Sequence, residues 1–397
     1  MASGAIATMH SAHNWEPVRQ LLQGWELTTE YAISIGTAEG RRVFAYESGN
    51  FSLKTQIPTG STSKWPSAMM FASLVDDGTI TSLDMPVSKY VPWWTNDPLD
   101  LRSEVTLRHL LTFTSGFGSG HPGQEFNTRA ARQWRARNGH PRSPQLGNVS
   151  KDCDVDHGEI SLCARSIYEE VPLEGRPGHV YSYNSNHLQL AAGIAVVVTG
   201  LPIETIVQKY LLDPYNMTDS YYYGQCPDFA GSLVTTGQDY ERFLHGVLAY
   251  THPSPALIIE SEKDATPFLS DQYALYGNYA FGHFLMCFDS WDGFTDACAD
   301  SRSHIDPGAF GFIPIIDRKY GYYLSLAAAE VEPTGSYPLS GIPEYLAVAI
   351  KKHVEAILSQ HPPSFEDHLH HTPALLSLGI ADVNYCLECK LHPDNCS

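Results

Sequence analysis

A chain of 397 residues, 43% hydrophobic and 11% aromatic, is long enough to bury one large core or two packed ones. Its formal charge of −19, from 44 acids against 25 bases, argues against nucleic acid as a partner, because phosphate binding needs a basic surface. No apolar run approaches the roughly eighteen residues of a membrane span, so no membrane partner is expected either.

Residues 1–29 read as a lead-in. The opening "MASGAIATMHSAHNW" lacks a basic stretch followed by an apolar one, so no signal peptide is read in it. Residues 31–37 (YAISIGT) and 42–47 (RVFAYE) alternate apolar and polar around AEGR, which predicts a strand hairpin. A helix is expected from about 61 to 76. Pro66 lies inside it and is tolerated only in a first turn. Either the regular helix starts near Ser63, with Ser61 in a tight preceding turn, or the helix kinks. A glycine turn and prolines then break the periodicity up to Pro92.

Residues 105–118 (VTLRHLLTFTSGFG) predict a short apolar helix running into a glycine-rich loop. Residues 119–160 are polar and punctuated by glycine and proline, a long loop rather than core. Helical periodicity returns from 161 to 210, and 233–250 reads as an amphipathic helix. GAFGFIPIID and YGYYLSLAAA predict two adjacent strands, and 343–360 a long amphipathic helix. Residues 361–397 form a tail rich in histidine and cysteine. Strands at both ends with helical material between them predict an α+β domain over 30–360. Its antiparallel sheet comes from the N- and C-terminal segments and is flanked by helices, with a helical subdomain inserted at about 80–230.

The eight cysteines, several in short-range pairs, suggest disulfides and an oxidising compartment. Four N-x-S/T sequons begin at Asn50, Asn148, Asn216 and Asn395, against about two expected by chance. The expectation is a secreted glycoprotein expressed without its leader. Cys153 and Cys163 are expected to staple the base of the long loop. In the tail, CLECKLHPDNC (386–396) has a plausible zinc spacing, yet the compartment favours disulfides, so neither metal nor cofactor is expected. Arg129, Arg132 and Arg135 could line one helix face and attract a carboxylate, although a solvated loop accounts for them as well.

The chemistry concentrates in IPTGSTSKWPSAMM (57–70). Ser61 and Lys64 stand three apart, so on a helix they share a face. A serine hydroxyl needs its proton removed before it attacks, and a desolvated lysine can do this. Taken alone, the tetrapeptide reads more readily as a helix cap beside a solvated lysine.

The surroundings decide the matter. TGSTSKWPSAMMFASLVDDGTITSLDMPVSKYVP, VTLRHLLTFTSGF, RPGHVYSYNSNHLQLAAGIAVVVTGLP, NMTDSYY and AGSLVTTGQDYERF occur in that order. Together they resemble serine hydrolases related to class C β-lactamases and low-molecular-weight penicillin-binding proteins, over roughly residues 30–355. The resemblance implies the β-lactamase/transpeptidase-like fold and a covalent acyl-serine intermediate. It implies Ser61 as nucleophile, Lys64 as its activator and Tyr183 rather than Tyr181 as the proton-transfer group.

In that family an asparagine follows two residues after the tyrosine; here the position is Ser185, between Asn184 and Asn186. No Lys-Thr-Gly exists in the chain. SRSHIDPGAFGFIPIIDR (301–318) occupies its place, with His304 as the substitute and Gly308 and Ala309 on the strand edge. The Ala309 N–H would join that of Ser61 as the oxyanion hole. These departures point from β-lactamase or D-amino-acid peptidase towards a carboxylic ester hydrolase acting on a small-molecule acyl substrate. Acyl transfer, and a non-catalytic binding module on the same fold, are the other readings.

Overall fold

The computed structural model describes residues 14–26, 30–39, 42–118, 147–265, 278–285, 302–328 and 341–359. The chain divides into two compact units, one of residues 27–344 and one joining residues 1–26 to 345–397. In the smaller unit, helix α1 (Glu16–Gln23) buries Val18 and Leu22, and the C-terminal helix running to Leu358 buries Leu346, Ala347, Ile350 and Val354.

The larger unit is built on a six-stranded antiparallel sheet. Its strands are β1 (Tyr31–Thr37), β2 (Arg42–Glu47), β6 (Phe284–Leu285), β7 (Ser303–Ile305), β8 (Ile313–Asp317) and β9 (Tyr322–Ala328), in the spatial order β2-β1-β9-β8-β7-β6. Among the described residues the first strand therefore lies beside the last, with Ala32 opposite Ala327 and Ile33 opposite Leu326. Burial explains the order. β9 is buried throughout and β1 over all but its last residue, whereas β2 at the edge alternates. A strand covered on both faces reads as a continuous apolar run, and an edge strand with one wet face reads as alternation.

Between β2 and β6 the chain supplies the helices and a second, three-stranded sheet. That sheet pairs β5 (Leu233–Thr235) with both β3 (Ile57–Pro58) and β4 (Tyr221–Tyr222). Helix α2 (Lys64–Asp76) is apolar all round and buried from Lys64 to Leu74, the mark of a helix inside a core rather than on a surface. Pro66 sits in its first turn, where the absent N–H costs nothing.

Helix α3 (Leu107–Leu111) is opened by a Thr106–His109 capping box. Helix α4 (Gly147–Asp152) and helix α5 (Ile160–Glu170) follow, tied by the Cys153–Cys163 disulfide. The long loop read over 119–160 thus ends in helical structure, and its arginines at 129, 132 and 135 lie outside the described residues. Helix α6 (Asn186–Thr199) crosses α5 so closely that a Cβ on Gly193 would stand 2.2 Å from Ala164 Cβ. Helix α7 (Gly237–Leu248) begins only after β5, so the helix read from 233 is a short strand, a Thr236 cap and then a helix. Cys226 is a buried free thiol. The remaining cysteines lie outside the described residues.

No single helix among the described residues is long and apolar enough to cross a membrane. None of their His, Cys, Asp and Glu side chains cluster in a way that could hold a metal ion. The Cys/His tail lies outside them.

Candidate active site

Ser61 stands in a 3-10 turn, Gly60–Ser63, that leads into α2. Gly60 adopts φ 58°, a left-handed conformation that side chains disfavour. The turn is pinned from several directions. Ser63 Oγ donates to Gly60 O at 2.7 Å and accepts from Leu233 N–H at 3.0 Å. Thr62 Oγ1 lies 2.8 Å from Asp306 O and 2.9 Å from Phe312 O.

Lys64 opens α2 and is 4% exposed. Its Nζ donates to Ser61 Oγ at 3.0 Å and to Ala230 O at 2.7 Å, and lies 4.7 Å from the centre of the Tyr183 ring. Desolvation brings its pKa down to about 8, against the opposing pull of the Asp306 and Asp228 carboxylates. Near neutral pH a useful fraction of this amine is therefore unprotonated and carries a lone pair.

The Tyr183 hydroxyl hydrogen-bonds the Ser61 side chain. The ring packs against Phe113 and Phe284, with centroids 5.7 and 6.1 Å away. Burial holds the phenol pKa well above its usual value, and the Asp306 charge adds to this. A tyrosinate is disfavoured here, so the free base of the trio is the lysine and the phenol keeps a proton to give. Tyr181 instead packs its ring 5.2 Å from that of Tyr279 and is 1% exposed.

The sequence placed His304, Gly308 and Ala309 together. The structure brings the last two to the nucleophile turn. Gly308 lies so close that a Cβ would stand 2.0 Å from Thr59 O, and its N–H is taken by Phe312 O at 2.8 Å. Ala309 N lies 3.4 Å from where a Cβ on Gly60 would sit, and this N–H has no acceptor among the described residues. The Ser61 N–H, at the start of its turn, has no intrahelical acceptor either.

His304 is the correction. It is 1% exposed in β7, with Nδ1 3.0 Å from His283 Nε2, Nε2 3.7 Å from Glu262 Oε2 and its ring 6.4 Å from that of Trp65. Neither Ser61, Lys64 nor Tyr183 is among its partners. Desolvation lowers its pKa to about 3, so it is neutral and supplies no charge to the site.

Two acidic residues that the sequence reading passed over stand closer to the chemistry. Asp306 is fully buried; its Oδ2 accepts from Trp65 N–H at 3.0 Å, while Oδ1 has no hydrogen-bond partner among the described residues. It thereby caps α2, whose own N-cap residue Ser63 makes no side-chain cap. Burial raises its pKa strongly, with Lys64 and the Trp65 N–H acting the other way. A signal was present: Asp306-Pro307-Gly308 keeps the one-residue gap before glycine that His304 violates.

Asp228 organises the turn that presents Ala230 O, through Ala230 N–H to its Oδ1 at 2.8 Å. The Ser185 hydroxyl donates to Asp228 Oδ2 at 3.2 Å. The flanking Asn184 and Asn186 donate to Phe117 O at 3.1 Å and Gly118 O at 2.7 Å, so their carboxamides hold a loop in place.

A beta-lactamase family model matches residues 31–268. No curated protein sequence matches the chain. Among solved structures, the chain is similar to unliganded simvastatin synthase from Aspergillus terreus, with a TM-score of 0.62 at 17% identity over 87% of this chain and 99% of that one. It is similar to EstCE1, described as a hydrolase with promiscuous acyltransferase activity, with a TM-score of 0.60 at 14% identity over 83% and 96%. A penicillin binding protein from Bacillus halodurans gives a TM-score of 0.57 at 14% identity over 84% and 99%. At these identities the likeness is one of fold.

Proposed function

Since this chain belongs to the beta-lactamase family of serine hydrolases, we propose that it cleaves carboxylic esters through an acyl-enzyme on Ser61. The observation that carries the reading is the 3.0 Å hydrogen bond from buried Lys64 Nζ to Ser61 Oγ, with the Tyr183 hydroxyl bonded to the same serine. In its free-amine form Lys64 accepts the Ser61 proton as Oγ attacks the acyl carbonyl. The developing oxyanion lies between the N–H groups of Ser61 and Ala309, neither of which has another acceptor among the described residues. Tyr183, held protonated by its surroundings, gives its proton to the leaving alcohol and is recharged through Lys64. Water, activated by the same pair, then releases the acid.

Esters are favoured over amides by what surrounds the trio. The position that carries an asparagine in the resembling family is Ser185, and its hydroxyl is engaged by Asp228. No side-chain carboxamide from that position is left to orient a substrate amide. An alcohol could replace water in the second step, as the description of EstCE1 suggests for that protein. The Cys153–Cys163 disulfide supports an oxidising, extracytoplasmic setting.

The test is p-nitrophenyl butyrate beside a chromogenic cephalosporin, with and without added alcohol. Ester turnover at least about 100-fold faster than cephalosporin turnover is expected, a gap of the size a missing polar contact produces. Rapid cephalosporin cleavage without ester cleavage contradicts the preference.

A further inference from the structure

Among the described residues, two acidic side chains, Asp228 and Asp306, lie around Ser61 and Lys64. Asp228 holds the segment that carries Ala230. Its Oδ1 accepts from Ala230 N–H at 2.8 Å, and its backbone oxygen accepts from Gly231 N–H at 2.9 Å, from Ser232 N–H at 2.8 Å and from the Ser232 hydroxyl at 2.8 Å. Ala230 O in turn accepts from Lys64 Nζ. The other carboxylate oxygen, Oδ2, faces the Tyr183–Ser185 segment, where its partner is the half-buried Ser185 hydroxyl. Unlike Asp306, which is fully buried, Asp228 is half-buried, so its carboxylate keeps some contact with solvent. Asp228 and Asp306 are the acidic groups whose charge bears on Lys64 and on Tyr183.

We infer that Asp228 is a specificity-determining residue, and that it restricts this site to acyl esters that are neutral or cationic beside the scissile bond, turning away those that carry a carboxylate there. This rests on the acyl-enzyme reading above. An anionic substituent a few ångströms from Asp228 meets repulsion that water screens only in part, whereas a quaternary ammonium at the same place is attracted. Lys64 is present in both the wild type and Asp228→Asn, so the change in charge preference between the two reads the Asp228 carboxylate. A difference of roughly threefold for each sign of charge, relative to the neutral ester, and so about tenfold between the two charged esters, is the scale such a partly screened pair produces.

Three p-nitrophenyl esters of similar length test it: the butyrate, the hemiglutarate and the 4-(trimethylammonio)butyrate. Each kcat/KM is divided by the ester's own hydroxide-catalysed rate. For the wild-type protein at low salt, the cationic ester should exceed the anionic one by about tenfold, and about 0.5 M salt should compress that ratio several-fold. In Asp228→Asn, which retains an oxygen for the Ala230 N–H, the ratio should fall about tenfold. The ratio is taken within one enzyme, so a general loss of activity in the variant leaves it readable. Should Asp228→Asn not fold, Asp228→Ser, which also removes the charge, takes its place in the same comparison. An anionic ester cleaved as well as the cationic one, or a charge ratio unchanged in Asp228→Asn, overturns the inference and leaves the hydrolase reading standing. No turnover of any of the three esters, with no fluorophosphonate adduct on Ser61, overturns both.

Discussion

Lys64 stands within 3.0 Å of Ser61 Oγ because both lie at the start of one helix, and it is basic enough but not too basic because it is buried. If it is the proton acceptor, Lys64→Met removes the base while keeping the side-chain bulk. We expect kcat/KM on p-nitrophenyl butyrate to fall about 1,000-fold, within the range that positioned acid–base groups contribute. Tyr183→Phe deletes one oxygen and should cost about 100-fold. Activity retained in either variant would remove that residue from the proton path. Lys64→Arg should not rescue, because a guanidinium stays charged at every accessible pH and has no lone pair to offer.

At the scale of elements, the active serine depends on a cap lent by another segment. Asp306→Ala leaves the Trp65 N–H without its acceptor at the head of α2. It should lower stability by about 1–2 kcal/mol, the usual worth of a lost helix cap, read as a drop in the urea midpoint with an unchanged slope. A variant as stable as wild type would mean that the bond contributes nothing to the helix. The segment bearing Asp306 also shows how far sequence reading reaches. The hairpin at 31–47, the buried helix after Ser61 and the strands at 313–328 were all legible, because each is an alternating or continuous apolar run bounded by turn residues. The three-residue strand Leu233–Thr235 was not, since so short a run has no period and merges into the helix that follows. Ser61, Lys64 and Tyr183 were legible because motif and register carry them. Asp306 was hidden behind His304, the more familiar chemical type two positions earlier, and its value lies in a bond to a residue 241 positions away. Asp228 likewise acts through backbone groups and Ser185, and no pattern in one sequence announces such a contact.

At the scale of the larger unit, the sheet joins its two ends, β1 pairing with β9 over seven residue pairs. A fault in the first strand should therefore reach the site although β1 supplies no active-site group. Ile33→Asp places an unpaired charge at a fully buried position opposite Leu326 and should cost several kcal/mol, enough to abolish native circular dichroism and thermal cooperativity. Native-like unfolding in that variant would show that the end-to-end pairing is dispensable. Along the chain, the site is assembled from turns near residues 61, 183, 230 and 309, and the account stands or falls on their convergence around one serine. The most direct measurement is the rate of labelling by a fluorophosphonate as a function of pH, with the adduct located by mass spectrometry. The account predicts a single adduct on Ser61. Because the free amine is the active form and its pKa lies at about 8, labelling should quicken nearly tenfold per pH unit below that value and level off above it. An adduct on another serine, or a Ser61 adduct whose rate ignores pH between 6 and 9, would contradict it.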